Sequence, residues 1–144
     1  MSCIVCDLTL ISRCCGQYRS RRLEELGLSP RQASLLLELC ATPGLSQDAL
    51  SRRVFLNKSV VARALASLED NGFVQRICCQ KDKRVTRLYP TEHTLQILPQ
   101  LQSIDSDCEQ FFTEGMTPQE LTALQEMLDK LQTMAAKRME GDGI

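Results

Sequence analysis

The chain has 144 residues and a net charge of −1, and this length suits one compact domain. Hydrophobic residues make up 43% and charged residues 24%, which excludes wholesale disorder. Two Tyr, four Phe and no Trp argue against a stacking platform for single-stranded nucleic acid. The single histidine, His93, leaves little material for a catalytic triad or a metal site. We therefore expect no enzyme, no cofactor and no metal.

The near-neutral total hides a division of charge along the chain. Residues 45–90 carry nine basic and four acidic side chains, a net charge of +5. Residues 91–144 carry three basic and ten acidic side chains, a net charge of −7, and residues 1–44 carry +1. A basic middle beside an acidic end predicts a local binding surface for a polyanion.

The cysteine content and the apolar runs indicate the cellular compartment. Eight cysteines in 144 residues is below the density of small disulfide scaffolds. The N-terminal run lacks a basic region typical of a signal peptide, and no run approaches the ~18 apolar residues of a membrane span. We expect a cytoplasmic protein with reduced thiols and no membrane partner.

Apolar periodicity and end signals predict six helices. The first two cover 4–26 and, from Ser29-Pro30, the residues up to about 41. The next two, 47–54 and 58–70, begin at the caps Ser46 and Asn57. A long helix from about 92 to 112 contains Pro99, and a final helix runs from 118 to about 139. Between the fourth and fifth helices, runs 73–78 and 84–89 flank a polar turn and predict a β-hairpin with a charged tip.

Two short helices followed by a basic hairpin are the parts of a winged helix-turn-helix. The second helix of such a pair can enter the major groove of DNA, which admits one α-helix. The hairpin, or wing, can reach the phosphate backbone or the minor groove. All three elements fall inside the segment of net charge +5. The expected fold class is mainly α with a β-hairpin wing.

An ordered series of motifs carries a resemblance to a known family. The motifs are the runs 27–32, 45–50, 56–63 and 68–74, then Asp82-Lys83-Arg84 and Pro90-Thr91-Glu92. Over roughly residues 5–138 the chain resembles the MarR (multiple antibiotic resistance regulator) family of bacterial transcription factors. The resemblance implies a helical dimerisation region at 1–28 and 91–144, flanking a winged helix-turn-helix at 29–90.

The resemblance also implies partners. A homodimer would bind a pseudo-palindromic operator in double-stranded DNA, act as a repressor, and be released by a small aromatic or phenolic effector in a crevice near Tyr18 and Phe111. The residues agree on assembly, because the acidic, leucine-rich C-terminal helices have no core of their own and expose Leu124, Leu128 and Leu131 in a lone protomer.

By the same resemblance, specific residues receive roles in DNA binding. The second helix of the pair faces the groove, with Arg63 as the guanine reader. Helix N-termini hold phosphates, and Arg84, oriented by Asp82, inserts or clamps from the wing. The implied DNA contacts are Ser46, Gln47, Lys58, Ser59, Val60, Ala62, Arg63, Ser67, Lys81, Asp82, Lys83, Arg84 and Arg87.

Three alternatives stay open. One is a thiol-based redox-sensing regulator of the same fold, with Cys6, Cys14 and Cys15 on the first helix as sensors. Another is a thiol redox protein that uses the C-x-x-C pair Cys3 and Cys6, although no βαβ pattern surrounds it. The last is a dimeric interaction module that keeps the fold without binding DNA.

Overall fold

The computed structural model describes residues 2–141, and its order of elements is α-α-α-α-β-β-α-α, as the sequence predicts. The first helices are α1 (Ile4–Glu24), α2 (Pro30–Ala41), α3 (Gln47–Val54) and α4 (Lys58–Asp70). The strands β1 (Val74–Cys78) and β2 (Thr86–Pro90) follow, and then α5 (Glu92–Phe112) and α6 (Pro118–Gly141). Among the described residues, no helix is both long and apolar enough to cross a membrane.

The described chain divides into two compact units, residues 2–108 and residues 109–141. The core of the first unit is built from leucines of successive elements. Leu36 of α2, Leu50 of α3, Leu65 of α4, Leu88 of β2 and Leu101 of α5 are all fully buried or nearly so. Burial of each such side chain contributes roughly 1.5–3 kcal/mol, so this core fixes α3, α4 and the hairpin against one another.

Side-chain caps set where the short helices begin. Ser29 and Gln32 form a capping box at α2, in which each side chain accepts the other residue's backbone N–H. Ser46 accepts the N–H of Ala49 at 3.1 Å, and Asn57 accepts the N–H of Ser59 at 2.9 Å. These bonds satisfy N–H groups that a helix start otherwise leaves unpaired. The N-terminal ends of α3 and α4 are thereby fixed where the sequence predicts them.

The hairpin is joined to the loop that precedes α3. Its two strands are antiparallel, with Val74 opposite Pro90 and Cys78 opposite Thr86. Leu88 also forms a bridge with Leu45: the Leu88 N–H donates to the Leu45 carbonyl at 2.9 Å, and the Gly44 N–H donates to the Leu88 carbonyl at 2.8 Å. The base of the wing is therefore held against the α2–α3 loop.

Three predicted boundaries were wrong by a few residues. The first helix ends at Glu24 rather than 26 because the Leu28 N–H turns back to the Leu23 carbonyl at 3.1 Å. Strand β2 begins at Thr86 rather than 84, since the Cys79 N–H donates to the Val85 carbonyl at 2.8 Å and closes the turn there. Phe73 lies in the core before β1 rather than within the strand.

The second unit contains the end of α5 and all of α6. A capping box starts α6: the Thr117 N–H donates to Glu120 Oε2 at 2.8 Å, and the Glu120 N–H donates to Thr117 Oγ1 at 3.1 Å. On this helix Leu128, Leu131 and Met134 keep 37%, 43% and 47% of their surface exposed in the protomer. Of the predicted leucine seam, Leu128 and Leu131 are thus exposed in a single chain, while Leu124 is half-buried.

Candidate nucleic-acid interface

Helix α4 has one buried face and one face that can meet a ligand. Val61, Leu65 and Leu68 are fully buried in the core. On the remaining surface Lys58, Ser59 and Arg63 are exposed, while Val60, Ala62 and Ser67 are half-buried. The small residues among them keep the helix surface low, so that the backbone could approach base edges closely in a groove about 12 Å wide.

Two of the polar side chains predicted to contact phosphates, Ser46 and Lys58, lie at the starts of α3 and α4. The oxygen of Ser46 is used as the cap of α3, and its hydroxyl proton remains available to donate. Lys58 Nζ lies 3.6 Å from Asp48 Oδ1, and both side chains are mostly in solvent. An ion pair this exposed contributes little stability, so Lys58 can exchange Asp48 for a phosphate at small cost.

The wing tip presents its arginine to solvent. Asp82 Oδ1 accepts the Arg84 N–H at 3.0 Å and lies 3.4 Å from Arg84 Nε. Asp82 therefore sits beside Arg84 as the sequence predicts, while the Arg84 side chain stays 93% exposed. Lys81 and Lys83 are exposed in the same turn. The tip can reach a polyanion without breaking any core contact.

Two strand arginines have partners inside the protein. Arg87 Nη1 donates to the Gly44 carbonyl at 2.9 Å, which adds a further tie between the wing and the α2–α3 loop. Arg76 Nε is paired with Glu69 near the end of α4, and Arg76 Nη2 donates to Gln47 Oε1 at 3.0 Å. No motif in the sequence indicates a role for Arg76, because its partners lie seven and 29 residues away.

Not all of the α4 residues predicted to contact DNA are free of contacts within the protein. Val60, Arg63 and Ser67 line a groove of about 660 Å³ beside the start of α2. The Ser67 hydroxyl accepts a hydrogen bond from Gln32 Nε2 at 3.2 Å. Ser67 therefore helps to hold α4 against α2, and a DNA contact from it stays a prediction.

All eight cysteines are free thiols. Of the predicted sensors, Cys6 is exposed and Cys14 and Cys15 are half-buried on α1. Cys108 of α5 is buried, with Sγ 4.0 Å from the Cys15 carbonyl oxygen.

The pKa is shifted at four thiols. The Cys6 N–H, the Cys6 thiol and the Val5 N–H lower the pKa of Cys3, and the N–H groups of Asp82 and Lys81 lower the pKa of Cys79. Burial raises the pKa of Cys40, and burial with the neighbouring Cys15 raises the pKa of Cys108 to about 11. The sequence feature that could have indicated the lowered pKa of Cys3 is its position at the start of a helix, where a thiolate is favoured.

We expect pulse alkylation with iodoacetamide at pH 7.5 to modify Cys3 and Cys79 first and Cys108 last. The thiolate is the reacting form, and each unit of pKa above the ordinary value reduces its population about tenfold. Peptide mass spectrometry after short pulses measures the order, and full labelling in denaturant is the control. Equal rates for Cys79 and Cys108 in the folded protein would contradict this account of the wing turn.

The two residues of the predicted effector crevice belong to different units. Tyr18 is half-buried on α1 in the first unit. Phe111 is exposed in the second unit, where its ring meets that of Phe112 edge to face at 5.2 Å. Within the first unit, a separate cleft of about 340 Å³ lies between α1 and α5 and is lined by Arg22, Leu26 and Ile104.

The helix pair α3–α4, its turn through Phe55 and the hairpin bonded back to Leu45 define a winged helix-turn-helix protein. Residues 26–85 match the model of the MarR family, and this segment holds both helices and most of the wing. This part of the chain is similar to the MarR family of transcriptional regulators.

Individual proteins and solved structures are similar to the chain over nearly its whole length. The HTH-type transcriptional regulator YybA of Bacillus subtilis (strain 168) is 24% identical over 131 residues, which cover 91% of this chain and 87% of YybA. The crystal structure of the transcriptional regulator SlyA is 23% identical, with a TM-score of 0.91 over 96% of this chain and 98% of SlyA. A MarR family transcriptional regulator from Listeria monocytogenes, crystallised with 26mer DNA, is 25% identical, with a TM-score of 0.88 over 96% of this chain and 92% of that one.

Proposed function

We propose that the protein is a homodimeric repressor that binds a pseudo-palindromic operator in double-stranded DNA. The observation that carries the proposal is the arrangement of exposed groups in one compact unit. Lys58, Ser59 and Arg63 stand on the open face of α4, and Arg84 stands at the wing tip. These groups lie in the only third of the chain with a strong positive balance, +5 over residues 45–90.

The proposed DNA contacts are of two kinds, to base edges and to phosphates, and they come from different elements. Arg63 on α4 can donate two hydrogen bonds to a guanine edge, a pairing that specifies sequence. Ser46, Gln47 and Lys58 at the helix starts, with Lys81 and Lys83 of the wing, meet phosphates and set the register. The relative from Listeria monocytogenes crystallised with 26mer DNA supports DNA as the ligand.

Assembly into a dimer follows from uncovered apolar surface. Leu128, Leu131 and Met134 of α6 are exposed in the protomer, as are Ile4 and Ile11 of α1. Monomeric proteins rarely leave such patches in water. We infer that residues 1–28 and 91–144 form the dimerisation region, whose two-fold axis separates the reading helices by about one turn of DNA, ~34–36 Å.

We infer that a small aromatic or phenolic effector releases the operator, with Tyr18 or Phe111, each in its own unit, as a candidate contact. The thiol-sensing alternative needs Cys6, Cys14 or Cys15 on α1, of which Cys6 is exposed and the other two are half-buried. A thiol redox role for Cys3 and Cys6 has no support from the fold, because the pair opens α1 outside any βαβ unit. A regulator bound to the chromosome acts in the cytoplasm, where we place it.

Selection of DNA by the purified protein tests the proposal. From a random duplex pool we expect enrichment of a pseudo-palindrome whose half-sites are about 10–10.5 base pairs apart, centre to centre. The double variant Arg63→Ala/Arg84→Ala is the matched control and should enrich nothing. A folded wild-type protein that enriches no sequence would leave the non-DNA-binding interaction module as the better account.

A further inference from the structure

Arg76 joins three elements of the winged unit. It is on β1, and its Nε is paired with Glu69, in the last turn of α4. Its Nη2 donates to Oε1 of Gln47, the first residue of α3, at 3.0 Å. The Arg76 and Glu69 side chains are 34% and 31% exposed, so the pair is partly shielded from water.

The bond to Arg76 decides which way the Gln47 amide is turned. A guanidinium has only donors, so the end of the amide that faces it must be the carbonyl oxygen. The NH₂ end of Gln47 is then turned away from Arg76. Within residues 2–141, Gln47 Nε2 makes no hydrogen bond, and it stays available as a donor at the start of α3.

We propose that Arg76 is a positioning residue, which orients Gln47 so that its amide NH₂ donates to a DNA phosphate. The proposal rests on the DNA binding proposed above. A phosphate is an acceptor only, so an amide turned the other way would present its oxygen and repel it. A fixed orientation removes that wrong state and the entropy of choosing between the two.

Arg76 is poorly placed to contact a phosphate itself. Its charge is compensated by Glu69, and the described bonds already engage Nε and Nη2. Arg84, by contrast, is 93% exposed. A direct contact by Arg76 and an action through Gln47 therefore predict different results when the two residues are changed together.

A double-mutant cycle on the selected operator makes the comparison. We expect Arg76→Met and Gln47→Ala each to weaken binding about 10- to 150-fold, the range for one hydrogen bond to a charged group. The double variant should bind like Gln47→Ala alone, because Arg76 acts only through that amide. Arg76→Lys keeps a donor-only group and should restore most of the affinity that Arg76→Met loses. Losses that multiply in the double variant would overturn the proposal.

The salt dependence of binding supplies a second readout. Loss of a charged phosphate contact lowers the slope of log K against log salt by about 1. We expect that change for Arg84→Ala, and an unchanged slope for Arg76→Met and Gln47→Ala, which act through a neutral amide. A flatter slope for Arg76→Met would show a direct phosphate contact and overturn the positioning role.

The orientation can also be observed without DNA. In the free protein, Arg76→Met should move the ¹⁵N–¹H resonances of the Gln47 side-chain amide and leave those of Gln119 on α6 in place. Unmoved Gln47 resonances overturn the inference even where the operator is bound. Absence of all duplex binding by the wild type, with shifted Gln47 resonances, would instead remove the proposed function and with it the phosphate contact. An unchanged thermal midpoint of each variant shows that the fold is kept.

Discussion

Replacing Arg63 by alanine is expected to weaken binding to the selected operator by about 5- to 150-fold, the equivalent of about 1–3 kcal/mol. Arg63 is exposed on the open face of α4, where a guanidinium can make two hydrogen bonds to guanine. The loss should be confined to the cognate sequence, so discrimination at one base pair relaxes. Fluorescence anisotropy with operators that differ at single base pairs measures both effects.

Arg84→Ala and Lys137→Ala separate base reading from simple charge. Arg84→Ala should weaken binding evenly across sequences, because a wing contact to the backbone carries no base preference. Lys137 is exposed on α6 within the acidic segment. Its replacement removes the same charge and none of the proposed DNA contacts. If Arg63→Ala and Arg84→Ala both bind like the wild type, the assignment of these residues to the interface is wrong.

Leu128→Glu is expected to convert the protein into monomers or insoluble chain. Leu128 lies in the seam with Leu124 and Leu131, and 37% of its surface is exposed in the protomer. In a dimer the glutamate would be buried without a partner, a cost of several kcal/mol that most dimers cannot absorb. Multi-angle light scattering across a range of protein concentrations measures the mass.

Thr133→Glu is the matched control for the seam. It adds the same charge to the same helix, about 140° around the axis from Leu128, at an exposed position. We expect it to remain dimeric and to bind the operator. A folded, monodisperse wild-type monomer at micromolar concentration would remove the dimer from the account, and a Leu128→Glu variant that stays dimeric would move the interface elsewhere.

Local signals explain why the order of elements was predictable. Ser29, Ser46, Asn57 and Thr117 each cap the helix that follows, and a cap depends on residues within one turn. The strand ends were less accurate, because the turn closes through the Cys79–Val85 backbone bond. The alternation of basic and apolar residues begins at Arg84, two residues before the strand does.

Long-range partners could not be derived from the sequence. Arg76 and Arg87 look like any solvated wing arginines, yet one is bonded to Gln47 and the other to the Gly44 carbonyl, 29 and 43 residues away. Likewise, the pattern on α4 places Ser67 outward, while the structure bonds it to Gln32 of α2. Such pairings depend on how the elements pack, which only the folded core determines.

Titration of the selected duplex at several salt concentrations tests the central claim most directly. The account predicts two protomers per duplex, since each half-site is read by one α4. With Lys58, Lys81, Lys83 and Arg84 of both protomers near phosphates, log K should fall with log salt at a slope of about −7. Scrambling one half-site should abolish the specific part of the affinity. One protomer per duplex, or an affinity that does not change with salt, would contradict the account.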